Sequence, residues 1–214
     1  MIRRAGSAGE LHALSLPEPV SLAVWVFDVE RPALVVGSAQ RIDEVVDVEA
    51  CLAAGIDVVR RRSGGGVVLV VPEDLVWFDV IVPAARLRDE GVGDDIARSM
   101  VWMGGHVAAA LQRLDVSGAA VHDRPAERSP WSALVCFAGI GPGEVLLGGS
   151  KLVGMSQRRT RAGGRFQCAV HTRWSPQRLA ELLLARPSSL PPVATLPAAT
   201  AAELPTTLTA ILAR

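Results

Sequence analysis

The chain holds a single lysine, Lys151, against 21 arginines. On a surface the two cations exchange almost freely. At a site that needs a compact ammonium, the broad planar guanidinium is a poor substitute. Lys151 lies in Gly148-Gly149-Ser150-Lys151-Leu152-Val153-Gly154-Met155-Ser156-Gln157-Arg158-Arg159, where glycines leave room beside it. Strand alternation places Lys151, Val153, Met155 and Gln157 on one face. A lysine so placed can hold a phosphate oxygen or polarise an acyl carbonyl. It can equally be an edge lysine that protects a sheet.

A second cluster is Arg60-Arg61-Arg62-Ser63-Gly64-Gly65-Gly66. A strand there delivers guanidinium groups to a turn almost without side chains. Glycine lets a ligand approach the backbone, and successive N–H groups can converge on an anion. Arginine adds paired donors that match phosphate or carboxylate. The bland alternative is a glycine-rich turn after a solvated basic strand. A third candidate is Cys136, in Val135-Cys136-Phe137-Ala138-Gly139. A free cysteine is most often a buried structural thiol; the alternative is a nucleophile. Cys51 reads as a helix core residue and Cys168 as a strand residue. His12, near an N-terminus read as flexible, and His106 and His122 read as structural or exposed. No metal-ligand spacing is present.

The elements that must position these groups follow from apolar patterning. Residues 20–28 and 33–36 read as buried strands, 43–54 as a helix stopped by Gly55, and 56–62 as a strand. The runs 67–71 and 75–83, joined by Pro72-Glu73-Asp74, read as a hairpin. Residues Asp94 to Leu114 read as an amphipathic helix, weakened at Gly104-Gly105. Strands at 151–159 and 165–171 flank a turn, and Ser175-Pro176 opens a helix running to Arg186. These features predict an α+β fold with a mixed, largely antiparallel sheet and flanking helices. They divide the chain into a catalytic domain over 1–186 and a Pro/Ala-rich tail over 187–214, closed by a short helix near 206–213.

Composition narrows the classes of function. Half of the 214 residues are hydrophobic, enough for a sizeable core. Basic and acidic residues balance at 22 each, which argues against nucleic acid as partner. No apolar run is long enough to span a membrane, and Met1 to Pro19 lacks the apolar stretch of a secretory signal. Three cysteines without CxxC spacing fit a reducing cytoplasm.

RRRSGGG at 60–66 resembles the RRxSGGG signature of the lipoate-protein ligase superfamily, and GGSKLVGMSQRR at 148–159 resembles its GxKxxGxxQRR signature. LVVGSAQ at 34–40 falls where that family carries a ligand loop, and the resemblance covers about residues 20–185. It implies the catalytic fold shared by lipoate-protein ligases, octanoyltransferases and biotin protein ligases. By that resemblance Arg60, Arg61, Ser63, Gly64, Gly65, Gly66, Gly154, Ser156 and Gln157 bind substrate, and Lys151 contacts the acyl carbonyl or a phosphate. Lys151→Ala is then expected to abolish transfer with the fold intact. The implied substrate is lipoate or octanoate, bound for a lysine of a lipoyl domain or a glycine-cleavage H-type carrier. Three readings stay open. A ligase would work through acyl-AMP, with ATP and Mg, and with a separate accessory chain for activation. A transferase without nucleotide would use a Cys136 thioester, since the stretch around Cys136 resembles the loop of cysteine-dependent octanoyltransferases. A non-catalytic relative would bind the lipoyl ligand or its carrier; Val70 and Val71 stand where ligases carry a His-Asp pair.

Overall fold

Order begins at the second residue of the computed structural model, which describes residues 1–93 and 95–214. Ile2–Gly6 forms strand β1, and Ser7 caps helix α1, Ala8–Ala13. The Ser7 hydroxyl accepts from Glu10 N at 3.3 Å while the Glu10 carboxylate accepts from Ser7 N at 2.9 Å, a reciprocal capping box. The N-terminus is therefore not the flexible lead expected from sequence. Strands β2 (Ala23–Val29) and β3 (Ala33–Val36) follow. The helix expected over 43–54 splits into α2 (Ile42–Val45) and α3 (Val48–Ala53), because Asp47 turns outward to cap Ala50 N at 3.0 Å. The chain then forms β4 (Asp57–Arg60), β5 (Val68–Val70), β6 (Leu75–Pro83), α4 (Ala84–Asp89) and α5 (Ile96–Arg113). Asp95 caps α5; Asp94, expected to open that helix, lies outside the described residues. The rest is β7 (Ala120–Val121), a single 3-10 turn at Cys136–Ala138, β8 (Val145–Leu147), β9 (Ser150–Arg159), β10 (Gly163–His171), α6 (Pro176–Glu181) and α7 (Ala198–Leu212).

The strands make two sheets, in the orders β1-β2-β6-β10-β9-β8-β7 and β4-β3-β5. Only β1–β2 and β3–β4 are parallel among the described residues. The mixed, largely antiparallel α+β fold is as the sequence predicts, but the hairpin of 67–71 with 75–83 is not. β5 pairs with β3 in the small sheet, and β6 pairs with β2 and β10 in the large one. Pro72 to Asp74 carries the chain from one layer to the next. Nearness in sequence says which runs are strands, not which sheet each joins.

Burial on both faces explains why β6 is apolar at every position but Asp79. Phe78, Val80 and Val82 face α5 and α7, while Leu75, Trp77 and Ile81 face the small sheet. The small sheet is buried on both sides as well: Val35 and Val70 meet the large sheet, and Leu34, Val36 and Leu69 meet a cluster with Cys51 of α3 and Leu179 of α6. The order of layers is thus helices, large sheet, small sheet, helices. α7 begins at 198 rather than near 206, with Pro205 inside it. Proline normally ends a helix, which is why the sequence suggests a later start; here Leu204 and Leu208 are fully buried in the core with α5.

α5 crosses the loop before β8 at backbone contact. A methyl group on Gly104 would lie 2.1 Å from the Gly143 carbonyl oxygen, whereas one on Gly105 would meet nothing within 4 Å. The Gly-Gly pair that weakens the helix signal is thus half constraint and half freedom. Gly104→Ala should destabilise the fold by about 2 kcal/mol or more through overpacking. Gly105→Ala should stabilise it by up to about 1 kcal/mol through helix propensity. Urea unfolding of both variants checks this; equal effects would contradict the close approach.

Candidate active site

Three loops meet at one end of the sheets. The first leaves β4 as Arg61 to Gly66. Arg61 is buried, and its guanidinium donates to Gly64 O at 2.8 and 3.2 Å, to Gly66 O at 2.8 Å and to Val35 O at 3.3 Å. Its donors are therefore spent on shaping the triple-glycine turn. Arg60 points away, exposed, and donates to Ser38 O at 3.2 Å. The second loop carries Cys136. Val67 N donates to Leu134 O at 2.8 Å and Cys136 N donates to Val67 O at 3.0 Å. A methyl group on Gly66 would lie 2.6 Å from Leu134 O and 2.7 Å from Cys136 N, so this contact admits glycine alone. The third loop follows β3. Gly37 N donates to Gln40 Oε1 at 3.0 Å, and the Gln40 amide donates to Ala133 O and Leu134 O at 3.1 and 3.0 Å. Gln40 thus ties this third loop to the cysteine loop, and Ser38 N, donating to Ser63 O at 3.0 Å, ties it to the glycine loop.

Lys151 is not an edge lysine. β9 lies between β10 and β8, and Lys151 is 3% exposed. Its Nζ lies 2.7 Å from Glu144 Oε2 and donates to Oε1 at 2.8 Å and to the Cys136 carbonyl at 2.7 Å. Glu144, 4% exposed, also accepts from Gly141 N at 2.6 Å and Met155 N at 3.3 Å. Of the three N–H donors of an ammonium, one goes to Glu144 and one to the Cys136 carbonyl. Truncating one member of such a buried pair leaves the other charge unpaired, typically at about 3–5 kcal/mol. The expectation that Lys151→Ala spares the fold therefore fails on burial.

Beneath the loops runs a buried polar chain. Ser156 Oγ donates to Ser63 Oγ at 3.1 Å, Ser63 Oγ to Gln167 Oε1 at 2.5 Å, and Gln167 Nε2 to His12 Nδ1 at 3.1 Å. It joins both signatures to β10 and α1. Gly154 lies flat under Phe137, where a methyl group would come within 2.8 Å of the ring. Gln157 accepts from Ser99 Oγ at 3.2 Å, while its Nε2 is buried without a partner.

Two cavities meet at Cys136. A narrow tunnel of about 50 Å³ runs between the sheets, walled by Val35, Val70, Trp77, Phe137, Met155 and His12. An open cleft of about 610 Å³ is bordered by Gly64 to Gly66, Glu144, Lys151, Gln157 and the N-terminal turn of α5. Cys136, Met155 and Ser156 border both. Arg60 borders neither cavity, and Arg61 borders only the tunnel. Cys51 and Cys168 have no accessible surface, and burial pushes both thiols up, Cys168 well above the usual range. Burial, with Arg61 and Arg165 nearby, pulls His12 down to about 3. Burial pulls His171, edge-on to Phe137 at 4.5 Å, down to about 4. It also pushes Asp79 up to about 6, against the pull of its buried partner Arg165. Among the described residues no cluster of potential metal ligands occurs, and no helix is long and apolar enough to cross a membrane.

Sequence reading missed His12, Gln167, Phe137 and Glu144. The Ser7-x-x-Glu10 spacing could have marked an ordered N-terminus and hence His12. Nothing in sequence pairs Glu144 with the lone lysine.

The family profile of the lipoyl protein ligase A/B catalytic domain matches residues 13–196. Octanoyltransferase LipM of Moorella thermoacetica is 31% identical over 133 residues, 62% of this chain and 46% of that protein. The chain thus spans about half the length of the curated relative it matches. Among solved structures, a lipoate protein ligase-type protein from T. acidophilum with bound lipoic acid superposes with a TM-score of 0.72 at 16% identity, over 99% of this chain and 85% of that one. Lipoate-protein ligase A bound with ATP gives 0.70 at 16% identity, over 100% and 84%. At such identities these two show a shared fold.

Two predictions follow from the geometry. Arg61→Lys cannot serve three carbonyls with one planar fork and should lower stability by about 2 kcal/mol, with faster hydrogen exchange at residues 63–66. Arg60→Ala should leave both unchanged. The unfolded chain takes up a proton at His171 near pH 6.5, the folded chain only near 4. Folding therefore loses stability as pH falls through that interval. His171→Phe should show a smaller fall in Tm between pH 7 and 4.5 than the native chain; parallel curves would contradict the buried neutral ring.

Proposed function

The chain belongs to the lipoyl protein ligase A/B catalytic-domain family, and we propose that it transfers an octanoyl or lipoyl group to a carrier-domain lysine through a thioester on Cys136. The observation that carries this reading is the place of Cys136, half-buried where the apolar tunnel meets the open cleft. The tunnel suits the acyl chain; burying six methylenes contributes roughly 5 kcal/mol. At about 50 Å³ it takes a short segment as it stands. Met155 on its wall, unbranched and adaptable, is the side chain that yields to a longer one. The cleft suits the arms that bring the acyl group in and receive it.

Of the two catalytic routes open at the sequence level, the thioester route draws more support from the side chains. An adenylate needs free cationic donors. Of the cations in the two signatures, Arg61 is spent on carbonyls, Arg60 lies outside both cavities, and Lys151 is held by Glu144 and Cys136 O, which leaves Arg128 at the cleft border as the unpaired one among the described residues. The octanoyltransferase relative at 31% identity favours the same route.

In the first step the Cys136 thiolate attacks the carbonyl carbon of an acylated donor thiol. A new C–S bond forms, the donor C–S bond breaks, and the donor leaves as its thiolate, which takes up the proton that Cys136 gave up. In the second step the neutral amine of the acceptor lysine attacks the Cys136 thioester. The amide forms, the C–S bond breaks, and the proton lost by nitrogen restores the thiol. Each tetrahedral intermediate carries an oxyanion. The Gly64, Gly65 and Gly66 amides border the cleft and donate to no protein group among the described residues. A methyl group on Gly65 would lie 3.6 Å from Cys136 Sγ, so this turn supplies donors beside the reacting sulfur. Lys151 acts as a positioning residue through the Cys136 carbonyl. No nucleotide or accessory chain enters, and the free thiol suits a reducing compartment such as the cytoplasm.

The test mixes the protein with an octanoylated carrier and a lipoyl domain, without ATP, and weighs the acceptor by intact-mass spectrometry. Transfer should occur, be lost in Cys136→Ser, and persist in Cys51→Ser and Cys168→Ser. The double variant Lys151→Met with Glu144→Gln removes both buried charges and should fold, yet transfer roughly 100-fold more slowly, the scale of losing one preorganised group. An active Cys136→Ser variant, or acylation only from free lipoate with Mg-ATP, would overturn the thioester route.

A further inference from the structure

On a mostly apolar wall, where Arg61, Ser156 and Gln167 are hydrogen-bonded to protein groups, the tunnel also carries a polar ring that acyl transfer alone does not require. His12 comes from α1 and stacks on Trp77 with ring centroids 4.1 Å apart and planes 26° from parallel. Its tautomer follows from its neighbours. Gln167 Oε1 accepts from Ser63 Oγ at 2.5 Å, so the Gln167 amide turns its NH2 toward the ring and donates to His12 Nδ1 at 3.1 Å. A neutral imidazole that accepts at Nδ1 carries its proton on Nε2. The low proton affinity imposed by burial and by Arg61 and Arg165 keeps the ring neutral at physiological pH. The one hydrogen bond of the ring among the described residues is at Nδ1, and Nε2 is not among the fully buried unpartnered atoms, so it reaches accessible space. His12 lines the tunnel and not the cleft, so it lies inward of the Cys136 junction.

We infer that His12 is a specificity-determining residue: its Nε2–H faces the bound acyl chain and favours chains that carry a hydrogen-bond-accepting atom inside the tunnel, such as a dithiolane sulfur, over plain alkyl chains. A plain chain covers this donor and leaves it dry and unpaired, which is unfavourable. A ring sulfur is a weak acceptor, so the preference is modest, about tenfold by the usual scale of one neutral hydrogen bond. Without the Gln167 contact the tautomer would be free, so the Ser156–Ser63–Gln167 chain serves selectivity as well as packing.

This inference rests on reading the tunnel as the acyl site, and its test is made independent of transfer. Calorimetry measures the affinity of free lipoate and free octanoate for the native chain and for His12→Phe, which keeps the aromatic stack on Trp77. His12→Leu is the second variant without a donor, and melting curves check that each folds. The ratio of lipoate to octanoate affinity should fall about tenfold in either variant, mainly by tighter octanoate binding once no donor is left unpaired. His12→Asn, which restores an N–H donor, should recover part of the ratio. An unchanged ratio, or no binding of either acid to the native chain, would overturn the inference. Transfer with an unchanged ratio removes His12 as selector and leaves the reaction standing; a shifted ratio without transfer does the reverse.

Discussion

A buried ammonium organises this molecule's reactive end. Lys151 lies between the Glu144 carboxylate and the Cys136 carbonyl, with almost no contact with water. Desolvating the two charges opposes folding, and their mutual attraction offsets that only with good geometry and full hydrogen bonding. The geometry is close, and the polar groups are well used: Glu144 also accepts from Gly141 and Met155, and Lys151 donates to Glu144 and to the Cys136 carbonyl. The pair contributes little net stability on such accounting. Its effect is to allow one arrangement of the cysteine loop against β9, and so one position for the Cys136 sulfur.

Glycines make that arrangement reachable. Gly104 and Gly143 bring α5 against the loop that carries Glu144, Gly154 makes room for Phe137, and Gly66 admits the backbone of Cys136. Arg61, which looks in sequence like a ligand for an anion, turns inward and holds the triple-glycine turn by its carbonyls. That leaves the N–H groups of Gly64 to Gly66, which border the cleft, without a protein partner among the described residues. On the proposed reading the guanidinium acts through the backbone it shapes.

Much of this was legible in the sequence, and the limits have physical causes. The lone lysine, the RRRSGGG turn and Cys136 all converge at one end of the sheets. The strands were visible because β6, β9 and β10 have apolar residues on both faces. Their assignment to two sheets was not, since pairing is decided by layers that only the folded chain brings together. Arg60 and Arg61 look equivalent in sequence, yet β4 ends at Arg60, which stays solvated, while Arg61 starts the loop and is buried against its carbonyls. Glu144 was invisible because a loop carboxylate seven residues before Lys151 carries no periodic signal. His12 was overlooked because the N-terminus was read for targeting signals and not for its capping box.

The claim on which the account turns is that the acyl group rests on Cys136 between its two carriers. Rapid-quench sampling of one turnover, followed by peptide mapping, tests it directly. A hydroxylamine-sensitive acyl adduct should appear on the peptide bearing Cys136 before acylated acceptor, then decay as fast as the acceptor gains mass. Acceptor acylation with no adduct on Cys136 at any time would contradict it.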